Sequence, residues 1–203
     1  MLVREDWLAT KPPNPKKYRP KPYEQMQYPG QRVQVDVKHV PVKCSAAGEK
    51  YYQYTAIDEY SRHRVLGAFK ELSTYSSAEF VDMMIANFPF KIECVQTDNG
   101  SEFVKPFTER KGKSTLFERR LGECGIKHKL IRPYTPRHNG KVERSHRKDN
   151  EYFYAVKRFY SFEDFERQLA IHNRWYNNFP MVPLGFRSPR ECLEDFGKGV
   201  THH

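Results

Sequence analysis

The stretch Gln31-Arg-Val-Gln-Val-Asp-Val-Lys38 decides the fold, because three valines alternate with polar residues along it. A period of two residues is that of a β-strand, whose successive side chains point to opposite faces of a sheet. Val33, Val35 and Val37 therefore form one face of the predicted strand. Asp36 is expected on the other face, pointing away from the valines.

Two more strands are predicted directly after this one. Residues 51–57 and 63–69 are rich in β-branched and aromatic residues, which favour strands. Turns are predicted at residues 46–48 and at Asp58-Glu-Tyr-Ser-Arg62. The three strands are thus expected to form an antiparallel meander.

A helix and a fourth strand are predicted next. Ser76 and Glu79 have the spacing of a capping box at a helix start. Five apolar residues then fall on one face of that helix: Phe80, Val81, Met84, Ile85 and Phe88. Residues 92–98 predict a strand that ends at the turn Asp98-Asn-Gly100.

A second helix over residues 114–124, with Gly125 as its stop, and a fifth strand over residues 126–131 complete the pattern. This alternation predicts an α/β fold, one mixed sheet of five strands flanked by helices. Asp36 then lies within the first strand. Asp98 lies at the carboxyl end of the fourth, where ligand sites of open α/β sheets collect.

A strongly basic stretch follows, with one acidic residue inside it. Residues 127–148 hold eight Lys and Arg residues and a single acid, Glu143. A helix is predicted from about Asn139 to Tyr154, and another from Ser161. Two interpretations of Glu143 are open: an intrahelical ion pair with Arg147, or a metal ligand beside a phosphate-binding surface.

The composition of the whole chain indicates a polyanionic partner. Its 203 residues include 35 Lys and Arg against 25 Asp and Glu, a formal net charge of +10. That excess favours nucleic acid over a membrane surface. We expect no membrane contact, because no apolar run approaches the roughly 20 residues that cross a bilayer. The four widely spaced cysteines form no C-x-x-C pair, which argues against zinc and favours a reducing compartment.

Three carboxylates would make a metal site if the fold brings them together. Asp36, Asp98 and Glu143 offer hard oxygen ligands, which suit Mg²⁺ or Mn²⁺. Two such ions would bracket a scissile phosphate. Taken singly, each acid has an ordinary explanation: a polar residue on a sheet face, a turn former, a surface ion-pair partner. Spacing along the chain does not decide between these interpretations.

The cations of the basic helix are candidate phosphate contacts that would position a substrate without reading its sequence. Four of them are predicted DNA-binding residues: Lys141, Arg144, Arg147 and Lys148. Asn139 and Gly140, at the helix start, are expected to add free amide donors towards an anion.

Four motifs, in a fixed order, carry a resemblance to a known family. They are Val35-Asp36-Val37, Tyr54-Thr-Ala-Ile-Asp-Glu-Tyr-Ser-Arg62, Thr97-Asp-Asn-Gly-Ser-Glu-Phe103 and Arg132-Pro-Tyr-Thr-Pro-Arg-His-Asn-Gly-Lys-Val-Glu-Arg144. The chain resembles the integrase catalytic core of bacterial insertion-sequence (DDE-type) transposases, in the superfamily of retroviral integrases. The resemblance spans most of residues 31–190 and implies a ribonuclease-H-like fold.

The resemblance implies a polynucleotidyl transferase that cleaves DNA strands and transfers them during transposition or integration. Asp36, Asp98 and Glu143 match its catalytic and metal-binding triad, with two Mg²⁺ or Mn²⁺ ions expected when DNA is bound. Asn139 and Arg147 match positions that contact DNA in relatives. The implied partners are DNA, both transposon ends and target, and further copies of the chain. The implied location is the bacterial cytoplasm, in association with the nucleoid.

Two residues of the motifs are expected to be structural, and one acid is expected not to be a metal ligand. Asp58 and Arg62 lie in a matching motif and are expected to brace the turn between two strands. Glu102 is the acid most easily mistaken for a metal ligand, but the matching pattern assigns that role to Asp98.

The sequence departs from the family pattern in three places. Between Asp98 and Glu143 lie 44 residues, more than usual, and we expect the excess in a loop over residues 105–114. Residues 177–183 lack the Arg-Pro-His element that many relatives carry after the last helix. We expect no helix-turn-helix region, which would recognise transposon ends, within these 203 residues.

Three parts are predicted along the chain. Residues 1–30 form an extended, basic linker, because residues 11–22 hold five prolines and five cations. Residues 31–160 form the catalytic core. Residues 161–203 form a helical extension and tail, whose last two residues, His202 and His203, are interpreted as the remains of a purification tag.

Other functions stay open on the sequence. A nuclease that only hydrolyses would use the same ions, with water in place of a 3′-hydroxyl. A non-catalytic DNA-binding remnant would keep the basic surface without the chemistry. Recombination through a tyrosine nucleophile is a weaker alternative, because nothing marks out any of the 13 tyrosines.

Overall fold

The structure, a computed structural model, describes residues 24–106, 113–131 and 139–199. The strands are β1 Val33–His39, β2 Tyr52–Asp58, β3 Arg64–Phe69, β4 Cys94–Thr97 and β5 Lys127–Leu130. The helices are α1 Thr74–Asn87, α2 Leu116–Glu123, α3 Gly140–Asp149, α4 Phe162–Asn177 and α5 Pro189–Gly197. All five predicted strands are confirmed.

One mixed sheet holds the five strands in the order β3-β2-β1-β4-β5. β1, β2 and β3 pair antiparallel, as the predicted meander requires. β4 pairs parallel with β1, and β5 pairs parallel with β4. β1 is therefore the central strand, and its alternating pattern sets which side chains enter the core.

Apolar side chains fill both faces of the sheet. Val33 of β1 is fully buried in a cluster that includes Phe80 of α1. Val65 of β3 belongs to this cluster, whereas its neighbour Leu66 belongs to a second cluster with Phe165 of α4. Because neighbouring residues of a strand point to opposite faces, the two clusters lie on opposite sides of the sheet.

The start of α1 differs from the prediction. Ser73, not Ser76, caps the helix, because its side chain accepts a hydrogen bond from the Ser76 amide at 3.1 Å. The predicted capping box at Ser76 and Glu79 is wrong, since Ser76 is buried inside the first turn. Ile85 is 43% exposed, not buried. It lies roughly a quarter turn from the centre of the face formed by the other four apolar residues.

The second helix ends as predicted. Thr115 and Glu118 form a capping box at the start of α2. Gly125 follows the helix with a φ of +67°, a left-handed conformation that favours glycine. This glycine therefore stops the helix and turns the chain towards β5.

The basic helix reaches Tyr154, as predicted, but only its first part, α3, is α-helical. After α3 it widens into a π-helical turn over Asn150–Tyr154. In that turn the Ala155 amide donates to the carbonyl of Asn150 at 3.0 Å, five residues back. The turn carries Phe153 and Tyr154 into the second core cluster.

The C-terminal part begins with the predicted helix. Ser161 caps α4 by accepting from the Asp164 amide at 3.2 Å, and α4 packs against β3. α5 was not predicted, although Ser188 and Glu191 form a capping box at its start. The division at residue 160 stays a prediction.

Several sequence predictions lie outside the described residues. They concern residues 1–23 of the linker, most of the loop over residues 105–114, the motif segment 132–138 and the tail from residue 200. Within the described ranges, none of the helices is both long and apolar enough to span a membrane.

Candidate active site

Asp36 and Asp98 lie on adjacent parallel strands. The parallel register places Val33 opposite Val95 and Gln34 opposite Gln96. Extending this register by two residues along both strands places Asp36 opposite Asp98, the first residue after β4. The Val37 amide donates to Asp36 Oδ1 at 2.9 Å, and the Gly100 amide donates to Asp98 Oδ1 at 2.9 Å. Neighbouring backbone amides thus orient both carboxylates.

The electrostatics of Asp36 show which acids surround it. The pKa of Asp36 is raised to about 7, chiefly by burial and next by the negative charge of Asp98. The charges of Glu102 and Glu143 act in the same direction, while the hydrogen bond from the Val37 amide opposes them. The charges of the other two acids of the predicted triad thus affect Asp36, whose side chain is 22% exposed.

Glu102 is a fourth acid of this cluster, which the sequence prediction had set aside. Its charge affects the pKa of Asp36 more than the charge of Glu143 does. Burial and the charge of Asp98 also raise the pKa of Glu102 itself. The electrostatics thus leave two glutamates, Glu102 and Glu143, as candidates for a third ligand beside the aspartates.

The donors of this cluster fit a hard divalent cation in their chemistry. All are carboxylate oxygens, and their mutual repulsion raises the pKa of Asp36. Within the described ranges, however, no three His, Cys, Asp or Glu side chains form a group compact enough to hold a metal ion. The acids are neighbours around Asp36 without forming a closed ligand set.

His146 of α3 contacts the cluster, and sequence reasoning missed it. Its Nδ1 lies 3.5 Å from Asp36 Oδ2, and its Nε2 lies 2.9 Å from the Thr55 hydroxyl. Burial lowers the pKa of His146 to about 4, so the ring is neutral at pH 7 and makes no ion pair with Asp36. The sequence does contain a signal for this residue: His146 follows Glu143 by three residues, and side chains at that spacing are neighbours on a helix surface.

Glu143 is exposed and lies in the first turn of α3. Among the described residues it forms no ion pair with Arg147 or with any other cation, so the intrahelical pair is not present in this structure. Arg147 is exposed as well. The carboxylate is thus available to a ligand.

Gln34 fixes the start of α3 against the sheet. Its Oε1 accepts hydrogen bonds from the amides of Lys141 at 3.1 Å and Val142 at 3.2 Å. Its Nε2 donates to Glu59 at 2.9 Å. These two amides are therefore not free to bind an anion, because a buried side chain of β1 already occupies them. The free amide donors expected at Asn139 and Gly140 stay a prediction.

A buried ion pair anchors the other end of α3. Arg64 Nη1 donates to Asp149 Oδ1 at 2.8 Å and to Ser145 Oγ at 2.7 Å. Gln53 and His172 also contact the Asp149 carboxylate, each at 2.8 Å. Burial disfavours the charge on Asp149, but Arg64 and these hydrogen bonds outweigh it and hold its pKa below the usual range. Both ends of α3 are thus tied to the sheet.

The predicted DNA-binding residues differ in their availability. Arg144 and Arg147 are exposed. The Lys141 ammonium donates to the Glu59 carbonyl at 2.7 Å, and burial lowers its pKa to about 8. Lys148 lies over the Phe179 ring at 5.6 Å. Asn139 is only 3% exposed. The two arginines are the ones most open to a ligand, and a DNA-binding role for all five stays a prediction.

The structural role expected for Asp58 and Arg62 is confirmed. Asp58 Oδ2 accepts from the amide and the hydroxyl of Ser61, each at 2.7 Å, and Oδ1 accepts from the Gly30 amide at 2.9 Å. Arg62 has a φ of 64° and donates to the Glu59 carbonyl at 3.1 Å. Both residues shape the turn between β2 and β3.

Comparison with known proteins gives the family. A family described as "Integrase core domain" matches residues 27–136, and a second family with the same description matches residues 124–179. This chain belongs to the integrase core domain family. The membership confirms the resemblance to retroviral-integrase-type catalytic cores.

Two curated relatives carry integrase-related names. A protein of Spiroplasma virus SpV1-C74, ORF3, named for an integrase, is 30% identical over 171 residues, covering 79% of this chain and 47% of its own length. The retrovirus-related Pol polyprotein from transposon TNT 1-94 of Nicotiana tabacum is 28% identical over 166 residues. The match covers 80% of this chain and 12% of the polyprotein. This chain thus spans about half the length of the first relative and about an eighth of the length of the second.

Solved structures share the fold. The simian T-cell lymphotropic virus intasome in complex with PP2A regulatory subunit B56 gamma matches with a TM-score of 0.68 at 17% identity, covering 89% of this chain and 60% of that one. The HTLV-2 integrase catalytic core domain in complex with magnesium, in its trimeric form, matches with a TM-score of 0.58 at 18% identity. The match covers 81% of this chain and 96% of that one. The catalytic core domain of BIV integrase matches with a TM-score of 0.57 at 20% identity, covering 85% of this chain and 99% of that one. The predicted ribonuclease-H-like fold is confirmed.

Proposed function

We propose that this chain is the catalytic core of a DDE-type transposase or integrase, which cleaves DNA strands and transfers them during transposition or integration. The observation that carries the proposal is the convergence of acids on Asp36, whose pKa is raised to about 7 by burial and by the charges of Asp98, Glu102 and Glu143. Membership of the integrase core domain family supports it. The carboxylates Asp36, Asp98 and Glu143 are the proposed catalytic residues.

The same three carboxylates would hold Mg²⁺ or Mn²⁺, two ions when DNA is bound. Such ions stabilise the charges of an in-line displacement at phosphorus. A divalent cation is supported by the all-oxygen donor set and by the magnesium in the HTLV-2 integrase core.

The protein groups around the acids would orient and bind. His146 contacts Asp36 from the side of α3, and Gln34 holds the first turn of that helix. Arg144 and Arg147 are exposed beside Glu143 and would bind backbone phosphates. Weaker phosphate contacts are assigned to Lys141, Lys148 and Asn139, because these are buried in part or engaged within the fold.

The proposed partners are DNA, as element ends and as target, and further copies of the chain. A net charge of +10 supports a polyanionic partner. Assembly is supported by the solved relatives, one described as an intasome and one as trimeric.

The test is a strand-transfer assay with pre-nicked or branched DNA in Mg²⁺ or Mn²⁺. Wild-type protein is expected to yield joined strands, and Asp98→Asn and Glu143→Gln are expected to abolish them while retaining the wild-type circular dichroism spectrum. Glu102→Gln is the matched control and is expected to remain active. Full activity of Asp98→Asn would refute the proposal.

The products of the same assay distinguish the alternatives. Shortened strands without joined ones would indicate a nuclease that only hydrolyses. DNA binding with no metal-dependent product would indicate a non-catalytic DNA-binding protein. Loss of activity in Glu102→Gln but not in Glu143→Gln would move the third ligand to Glu102.

A further inference from the structure

A cavity of about 340 Å³ opens on the flank of α3 that faces away from Asp36. Its wall is formed by α3, the end of α4 and the segment after it, residues 179–183. That segment is where the chain lacks the Arg-Pro-His element of its relatives. The cavity is large enough for a small ligand.

The floor of the cavity includes an exposed aromatic ring on a rigid support. Phe179 is 42% exposed, and its ring centroid lies 4.9 Å from that of Trp175. Trp175 stacks on His172 at 5.5 Å, and His172 stacks on the buried Phe153 at 4.4 Å. Phe179 is therefore the outer member of an aromatic stack that is anchored in the core. The Lys148 ammonium lies over its ring at 5.6 Å, and a planar ligand that stacks on Phe179 would take that place and leave Lys148 beside it.

The rim of the cavity is cationic. Arg144 and Lys148 of α3 both line it, one helical turn apart. Burial lowers the pKa of Lys148, as do the positive charges of Arg144 and Arg64. Neither Arg144 nor Lys148 forms an ion pair with an acid among the residues that the structure describes. The excess of positive charge at this rim favours an anionic group.

We propose that this cavity receives one unpaired nucleotide of a DNA strand, with its base stacked on Phe179 and its phosphate between Arg144 and Lys148. An aromatic face beside two cations matches the two parts of a nucleotide, and an exposed ring stacks on a base only when that base has left its own helix. The inference rests on the proposed function in naming DNA as the ligand. It adds a base-binding site that is separate from the carboxylate cluster.

The test uses metal-free protein, so that binding is measured without catalysis. A fluorescently labelled oligothymidylate and a duplex of equal length are titrated against the full chain, and anisotropy gives the affinities. In a Trp7→Phe background, the emission of Trp175 reports occupancy beside Phe179. Wild-type protein is expected to bind the single strand with quenching of Trp175 and the duplex with little quenching.

Three variants test the roles of Phe179 and Lys148, and two further variants serve as controls. Phe179→Leu keeps an apolar side chain without the ring and is expected to weaken single-strand binding about tenfold, while Phe179→Tyr restores it. Lys148→Ala is expected to weaken binding. It is also expected to reduce, by about one, the slope of the logarithm of the binding constant against the logarithm of the salt concentration. Phe186→Ala and Lys157→Ala, exposed but outside the cavity wall, are expected to bind as wild type does.

The outcomes are distinguishable from those of the activity assay. Asp98→Asn is expected to keep the quenching, so a failure of the catalytic proposal leaves this measurement intact. Equal affinities of Phe179→Leu and Phe186→Ala for the single strand would overturn the base-binding site. So would equal quenching by duplex and single strand.

Discussion

Nδ1 of His146 lies 3.5 Å from Oδ2 of Asp36, while the other ring nitrogen lies 2.9 Å from the Thr55 hydroxyl. The imidazole thus connects α3 to two neighbouring strands, because Asp36 lies in β1 opposite Thr55 of β2. Any shift of α3 would be transmitted to the Asp36 carboxylate. His146 is therefore a positioning residue for the proposed site.

Replacing His146 by alanine is expected to lower strand transfer about 10- to 100-fold and to raise the Mn²⁺ concentration that half-maximal activity requires, as outer-shell partners of metal ligands do. His146→Asn retains a hydrogen-bonding group and is expected to restore part of the activity. The measurement is activity against metal concentration for both variants. An unchanged metal requirement in His146→Ala would contradict a positioning role.

The buried pair of Arg64 and Asp149 is expected to be essential for stability. Both side chains are fully buried, so Asp149→Ala leaves an uncompensated guanidinium and is expected to cost about 3–5 kcal/mol in the free energy of unfolding. The exposed pair of Arg190 and Glu194 is the control, and Glu194→Ala is expected to cost less than about 1 kcal/mol. Urea unfolding measures both, and equal costs would contradict the prediction.

Gln34→Ala is expected to loosen the start of α3. The change leaves the amides of Lys141 and Val142 without their acceptor, at a cost of about 1–3 kcal/mol. Hydrogen exchange is expected to speed up at these two amides and to stay unchanged in α1. Gln27→Ala, at an exposed position, is the control. Unchanged protection of Lys141 and Val142 would show that Gln34 does not cap the helix.

His63 is expected to make stability depend on pH. Burial lowers its pKa from 6.5 to about 4. As the pH falls below 6.5, the unfolded chain therefore takes up a proton before the folded chain does. The stabilisation is complete above pH 6.5 and is lost as the pH approaches 4, by about 2 kcal/mol at pH 5. Urea unfolding at pH 7.5 and pH 5 is expected to show a smaller difference for His63→Phe than for wild type, and equal differences would contradict the assignment.

Local patterns predicted the elements but not always their ends. The two-residue period of residues 31–38 is sufficient for β1, because alternation is a property of a single strand. Ser73 and Ser76 are both suitable caps, and the choice between them depended on Thr74 already being helical. The π-helical turn after Asp149 gave no sequence signal, because the packing of Phe153 and Tyr154 selects it.

The sequence by itself determined the five strands, the order of the elements, the excess of positive charge and the identity of the candidate acids, since these follow from neighbouring residues and from family motifs. Only the tertiary structure decided that Asp98 lies beside Asp36, that Glu102 joins them, that His146 contacts Asp36 and that Gln34 caps a helix whose Lys141 amide is 107 residues away. The physical reason is that such contacts depend on strand pairing and helix packing between distant segments. The burial that raises the pKa of Asp36 exists only once those segments have packed.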